Sequence, residues 1–289
     1  MNIVGKKVAY ITLGCKLNFS ETSTIKHSLE KEGAVTVGEK EGADIFVINT
    51  CSVTDIAEKK GRQMIRKIIH RNPGAYIVIV GCYAQLRAQE IMAIEGVNLV
   101  LSARDKFNVA HYLNHLEEQE QHEPHSCDIF KVGNFDLAYS YGDRTRCFLK
   151  IQDGCDYFCT YCTIPFARGR SRSATIQSVI NAARDVASKG IKEIILTGVN
   201  TGDFGRGTEE TFFDLVQELD KLEEIQRFRI SSIEPNLLTD DIIRFVASSH
   251  RFMPHFHVPL QSGSNEVLHL MKRRYERELF AEKVQEIKE

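Results

Sequence analysis

At 289 residues, 43% of them hydrophobic, the chain can bury a sizeable core and form roughly two domains of about 100–200 residues each. A formal net charge of −2 excludes a global basic field, so any contact with nucleic acid must come from a local patch. The N-terminal stretch MNIVGKKVAYITLGCK lacks the long apolar region of a secretory signal, and no run approaches the roughly 18 apolar residues of a membrane span. That predicts a cytoplasmic protein without a membrane partner. Thiols stay reduced there, so eight cysteines point to metal or catalytic chemistry rather than disulfides.

The first third alternates strands and helices. KVAYIT (7–12), DIFVIN (44–49), AYIVIV (75–80) and NLVLS (98–102) read as buried strands. Met64, Ile65, Ile68 and Ile69 have helical spacing, and the run stops at Asn72-Pro73-Gly74. Apolar strands joined by helices imply a parallel, Rossmann-like sheet covered on both faces. The pattern dissolves through LEEQEQHEPHSCD and YSYGDRTR, which separates a domain at 1–116 from one at 146–289 by a linker at 117–145. Alternation resumes with CFLKIQ (147–152), EIILTG (193–198), FRISSI (228–233) and FHVPL (256–260) as strands, Thr239 as a helix cap, and RELFAEKVQEIKE as a last helix. Four βα units do not close an eight-fold barrel, so the fold class is α/β, a parallel-sheet domain plus a partial (β/α) barrel with its chemistry at the strands' C-terminal ends.

GCDYFCTYC places Cys155, Cys159 and Cys162 in a loop after the first strand of the second domain, spaced C-x3-C-x2-C, with no later cysteine. Zinc takes four ligands; a cubane held by three thiolates keeps one iron open for an exchangeable ligand. The amino and carboxylate groups of S-adenosylmethionine suit that corner, and one electron from such a cluster cleaves the S–C5′ bond to give a 5′-deoxyadenosyl radical. The competing reading is a zinc knuckle completed by a distant His or Cys, as in a non-catalytic RNA-binding module. Cys15, Cys51 and Cys82 each lie just beyond a predicted parallel strand, so one sheet edge would gather them, where open α/β sheets bind ligands. They could hold a second cubane, or be three unrelated buried thiols. Cys127 and Cys147 read as ordinary free thiols.

Seven stretches resemble the radical S-adenosylmethionine methylthiotransferases: TLGCKLNFSET (12–22), NTCSVT (49–54), GCYAQ (81–85), DGCDYFCTYCTIPFARGRSRS (153–173), LTGVNTGDFG (196–205), SSIEP (231–235) and HVPLQSGSNEVLHLMKRRY (257–275). GCKLNFSE and LTGVNTGDFG are most similar to the branch that modifies N6-threonylcarbamoyladenosine in tRNA. The branches acting on isopentenyladenosine and on a ribosomal-protein aspartate are the alternatives. The resemblance implies two 4Fe–4S clusters, sulfur mounted and methylated on the auxiliary one, and radical attack at adenine C2. It implies a tRNA anticodon loop as substrate, at the adenosine just 3′ of the anticodon, where bases can be splayed out. It also implies an electron donor such as flavodoxin. The chain ends at Glu289, ahead of the family's last barrel segment and its C-terminal TRAM domain.

Within that frame TGVNTG would bring backbone near the methionyl end of S-adenosylmethionine, with Asn200 its polar candidate, unless its glycines only turn the chain; Ser232 and Glu234 end the next strand and could meet the ribose hydroxyls, with capping or surface roles competing. Arg168, Arg170 and Arg172 follow the cysteine loop, and Arg170 is the first choice to pair with a carboxylate or phosphate. Tyr157, Phe158 and Tyr161 interleave the cysteines as a shield, with Tyr161 placed to stack on adenine. His257 and Gln261 would face the barrel lumen, while His255 and His257 share a strand face. The segment DIAEKKGRQMIRKIIHR carries Lys59, Lys60, Arg62, Arg66, Lys67 and Arg71 against Asp55 and Glu58, either as a phosphate-contacting face beside Cys51 or as a solvated one.

Overall fold

The computed structural model describes residues 1–116, 123–142 and 145–289. Residues 117–122 and 143–144 of the predicted linker lie outside the described residues. The chain divides into two units, Met1–Val132 with Phe166–Gly169, and Gly133–Pro165 with Arg170–Glu289.

Unit 1 is built on five strands, β1 (Lys7–Thr12), β2 (Val35–Thr36), β3 (Ile45–Thr50), β4 (Tyr76–Gly81) and β5 (Leu99–Val100), all parallel in the order β2-β1-β3-β4-β5. Side chains alternate across each strand. Ile45, Val47, Val78 and Val80 pack on one face with Ile25 and Leu29 of helix α1 (Lys16–Lys31). Phe46, Ile48, Ile77 and Ile79 pack on the other with Ile65 and Ile68 of helix α2 (Asp55–Arg71). Continuous apolar runs are therefore required: both faces are covered. Thr54 caps α2 by accepting the Ala57 N–H at 3.1 Å, and Asn72 ends the helix before Pro73. Helix α3 (Cys82–Leu86) starts directly at the end of β4. The order 2-1-3-4-5 is a doubly wound one, whose chain reversal between β1 and β3 opens a crevice at the carboxyl ends of those strands.

Unit 2 carries a four-stranded sheet in the order β11-β10-β7-β6: β6 (Ala138–Tyr139), β7 (Cys147–Lys150), β10 (Glu193–Thr197) and β11 (Arg227–Ile230). Strands β7, β10 and β11 are parallel and β6 runs antiparallel. A separate ribbon pairs β8 (Gln152–Asp153) with β9 (Arg172–Ser173). Leu149, Leu196, Phe228 and Ile230 form the core with Val179, Ala183, Leu215, Val216 and Ile243 from the helices between strands. Thr239 caps its helix through Ile242 N–H, as its position predicts. The expected strand at 256–260 does not form: isolated parallel bridges, Phe228 with Phe252 and Ser232 with His257, extend the pattern, because Pro254 and Pro259 lack the N–H groups a ladder needs. The last helix spans Arg277–Lys288. Among the described residues no helix is long and apolar enough to cross a membrane.

Candidate functional site

In unit 1 the three N-terminal cysteines fall on adjacent strand ends. Cys15 is the N-cap of α1, just past β1; Cys51 follows β3; Cys82 follows β4. The register pairs Thr12 with Asn49 and Thr50 with Gly81, so the ends are level. Two glycines allow the close approach. A Cβ on Gly14 (φ +116°) would lie 2.8 Å from Cys51 Cβ, and one on Gly81 (φ +99°) would lie 2.4 Å from both Asn49 Oδ1 and the Thr50 carbonyl oxygen. Asn18 ties the edge together, donating from Nδ2 to the carbonyls of Leu13 and Thr50, both at 2.9 Å. Burial pushes the Cys82 thiol up to about 11, with Arg168 pulling the other way.

Behind this edge sits a buried charge cluster. Glu21, fully buried, accepts from Lys106 Nζ at 2.7 Å and from Arg168 Nη1 at 3.0 Å; Arg168 Nη2 also donates to Asn18 Oδ1 at 2.6 Å. Two cationic side chains thus meet this carboxylate in a buried setting, where charges interact more strongly than in water. Asn49 Oδ1 is buried there without a partner among the described residues.

In unit 2, Gly154 turns the chain after β8, and Cys155, Cys159 and Cys162 follow in one loop. Burial first, then the charges of Asp203, Cys162 and Cys159, push the Cys155 thiol up to about 12, against the Tyr157 N–H, which donates to Cys155 Sγ at 3.5 Å. Burial also raises Cys162, and Cys159 adds to it. Cys155 and Cys162 are thus both held toward the neutral thiol, chiefly by burial. Among the described residues no group of three or more His, Cys, Asp or Glu is arranged to hold a single metal ion. A cubane differs in presenting a separate iron to each thiolate.

Buried Gln152 organises the surroundings. Its Nε2 donates to the Gly154 carbonyl at 2.8 Å and to Ser171 Oγ at 2.9 Å, and its Oε1 accepts the Asn200 N–H at 3.0 Å. Asn200 Oδ1 accepts the Glu234 N–H at 3.2 Å, which puts the two predicted contact residues side by side. Asn200 Nδ2, Asp203 Oδ2 and Ser231 Oγ are buried without partners among the described residues, the signature of a polar ligand site. These donors and acceptors, beside three clustered thiols, fit a cluster with a polar organic ligand on it. The Ser232 carbonyl accepts from the N–H and hydroxyl of Thr201, both at 2.9 Å.

The remaining predicted residues separate. Arg168 is buried in unit 1, whereas Arg170 lies exposed, 3.5 Å from Asp156 and stacked over Phe158. Arg172 donates to the Asn134 carbonyl at 2.9 Å. Tyr157 is buried, with its hydroxyl pushed up to about 12 by burial, while Tyr161 is half exposed. His255, His257 and Gln261 are exposed. On α2, Lys59, Lys60, Arg66, Lys67 and Arg71 are exposed, and Arg62 is bound to Glu90 at 3.0 Å. Sequence reasoning missed Gln152, Asp203, Glu21, Lys106 and Arg273. Arg273 lies inside a motif quoted above, but an Arg-Arg pair after a helix looks solvated until its burial is seen.

Comparisons with known proteins agree with this layout. Residues 7–102 match the model of Uncharacterized protein family UPF0004, and residues 149–289 match that of the Radical SAM superfamily. The radical S-adenosylmethionine methyltransferase TsrM from Kitasatospora setae has the same fold, with a TM-score of 0.70 at 12% identity over 98% of this chain and 66% of that one. The class is therefore that of radical S-adenosylmethionine proteins, which pair that cofactor with an iron–sulfur cluster. The threonylcarbamoyladenosine tRNA methylthiotransferase MtaB of Bacillus subtilis is 41% identical over 97% of this chain, and that of Aquifex aeolicus 37% identical over 96% of this chain and 68% of the relative. A tRNA-2-methylthio-N(6)-dimethylallyladenosine synthase of Clostridium botulinum is 31% identical over 96% of this chain. The chain belongs to the MtaB methylthiotransferase family. It spans 63% of the length of the Bacillus relative.

Proposed function

We propose that this chain is the cofactor-bearing part of a tRNA methylthiotransferase that converts N6-threonylcarbamoyladenosine, 3′ of the anticodon, to its 2-methylthio derivative. Cys155, Cys159 and Cys162 hold one 4Fe–4S cluster and Cys15, Cys51 and Cys82 a second. The clusters with S-adenosylmethionine supply radical formation at the first and sulfur transfer at the second. Asn200, Asp203 and Ser231 orient the S-adenosylmethionine, with Ser232 and Glu234 beside them and Tyr161 and Arg170 at the exposed side of the loop. Gln152 fixes the loop they share. The exposed cations of α2, which begins four residues after Cys51, meet tRNA phosphates, and a flavodoxin-type protein donates electrons.

The observation that carries this reading is the level placement of Cys15, Cys51 and Cys82 on three adjacent parallel strands in one unit, together with a second trio in the other. Anaerobic reconstitution followed by iron and sulfide assay tests it. Two cubanes bring about eight irons per chain. Cys51→Ala and Cys159→Ala should each lose about half of them, and only Cys159→Ala should abolish release of 5′-deoxyadenosine under dithionite. A colourless protein that takes up zinc instead would refute the reading. Nucleoside mass spectrometry of tRNA from a deletion strain distinguishes threonylcarbamoyladenosine from dimethylallyladenosine as the substrate.

A further inference from the structure

The turn that follows the helix Asn265–Leu270 grips the three-cysteine loop at several points. Thr160 donates its N–H to the Met271 carbonyl at 3.3 Å and its hydroxyl to the Leu270 carbonyl at 3.2 Å. Arg274 Nη2 donates to the Asp156 carbonyl at 2.7 Å, its guanidinium 4.1 Å from the centre of the Tyr157 ring. Lys272 takes a left-handed φ of +58°, which lets Arg273 turn inward. The Arg273 side chain is only 4% exposed. Its Nη1 donates to Cys159 Sγ at 3.2 Å and to the Tyr161 hydroxyl at 3.4 Å, and its Nη2 pairs with Glu234. Its Nε–H is buried with no acceptor among the described residues. Burial works against the charge, yet the Glu234 carboxylate holds Arg273 protonated well above its ordinary range.

A permanently charged, buried guanidinium bonded to one sulfur of a cysteine trio is a tuning device. Hydrogen bonds to ligand sulfurs, net charge and solvent exposure set a cluster's potential, because they stabilise the more negative, reduced form more than the oxidised one. Resting on the reading of Cys155, Cys159 and Cys162 as cluster ligands, we propose that Arg273 is a positioning residue for Cys159 that raises the reduction potential of that cluster, and that Glu234 moderates the effect by neutralising part of the guanidinium's charge. The pair has opposite signs, so its two members must act in opposite directions. The Nε–H left without an acceptor suits a sulfide of the cluster, which would complete the fork.

The test is a mediated dithionite titration of the reconstituted full chain, followed by electron paramagnetic resonance of the signal that responds to S-adenosylmethionine, with iron and sulfide counted for every variant. Arg273→Gln should lower the ratio of reduced to oxidised cluster at fixed potential about tenfold, or about 59 mV for a one-electron couple. Arg273→Lys, which keeps the charge and loses the fork, should fall between. Glu234→Gln should raise the ratio. A purely structural role for the turn would shift both variants the same way, or neither, and either result overturns the proposal. If Arg273→Gln takes up no cluster, the Glu234→Gln arm decides alone. A wild-type chain that shows no such signal overturns the cluster reading and the proposal together; a normal wild-type signal with an unmoved potential in the variants overturns the proposal only.

Discussion

Replacing Glu21 by alanine strips from the buried cluster of unit 1 the carboxylate that Lys106 and Arg168 share. The wild-type carboxylate accepts from Lys106 at 2.7 Å and from Arg168 at 3.0 and 3.4 Å, and the two cationic side chains are 6% and 3% exposed. Without Glu21, Lys106 loses its ion pair, while Arg168 keeps the neutral Asn18 Oδ1 at 2.6 Å. Breaking a buried pair by removing one partner costs about 3–5 kcal/mol, since a buried charge is left uncompensated. Glu21→Gln preserves an acceptor but not the charge, and should cost less, about 2 kcal/mol. With two units, a single whole-chain denaturation midpoint is not well defined, so each unit needs its own probe, and native-state hydrogen exchange at β1, β3 and β4 is the appropriate measurement here. High salt should leave the deficit nearly unchanged, because buried pairs are poorly screened. A loss below about 1 kcal/mol for Glu21→Ala would refute the argument, since it would place the cluster in the range of a surface ion pair.

Two further outcomes follow from close approach and from burial. Gly81→Ala forces a left-handed residue against Asn49 and Thr50 and should cost well over the about 1–3 kcal/mol of backbone strain alone, whereas Gly74→Ala, with φ +88° and nothing within 4 Å, carries only that strain; equal losses in native-state hydrogen exchange at β3 and β4 would sink the close-approach account. Cys147 is fully buried in β7, and burial pushes its thiol from its ordinary 9.0 up to about 12. Its folded pKa is raised, so its stabilising contribution is complete below pH 9 and drains away as pH rises toward 12, at about 1.4 kcal/mol per pH unit. Urea unfolding followed by a probe within unit 2, between pH 8 and 10.5, should show a shallower alkaline decline for Cys147→Ala than for the parent; parallel slopes would show that the thiol does not titrate this way.

The strands of unit 1 were legible because their apolar runs answer to two covered faces at once, with Ile45 and Val47 on one and Phe46 and Ile48 on the other. The segment at 256–260 looked the same by composition, but the missing amide hydrogens of Pro259 within it and Pro254 just before it weigh more than its aromatic and β-branched residues. The first cysteine trio could be read because strand ends in a parallel sheet share an edge, so spacing in sequence becomes proximity without any knowledge of contacts. The groups around the thiols could not. Arg168 meets Glu21 across 147 positions, Lys106 meets it across 85, and Arg273 meets Cys159 across 114. No periodicity links such positions, and a charged side chain on paper looks solvated whichever way it points. Arg168 and Arg170, two residues apart in one basic turn, end in opposite environments, one buried and one exposed.

That Phe166–Gly169 complete unit 1 sets an order of assembly during synthesis. The ribosome finishes Val132 and must still make 37 more residues before Gly169 emerges, a delay on the order of seconds at about 5–20 residues per second. Through that interval the nascent unit holds Lys106 and Glu21 as a simple pair, and it gains Arg168 only when the chain re-enters it. A fragment cut at Val132 to study the first cysteine trio would stay at the unfinished stage, with Lys106 on Glu21 but the Arg168 guanidinium missing. Any expression design for unit 1 therefore has to return Phe166–Gly169 to it, either on the continuous chain or through a short grafted connector.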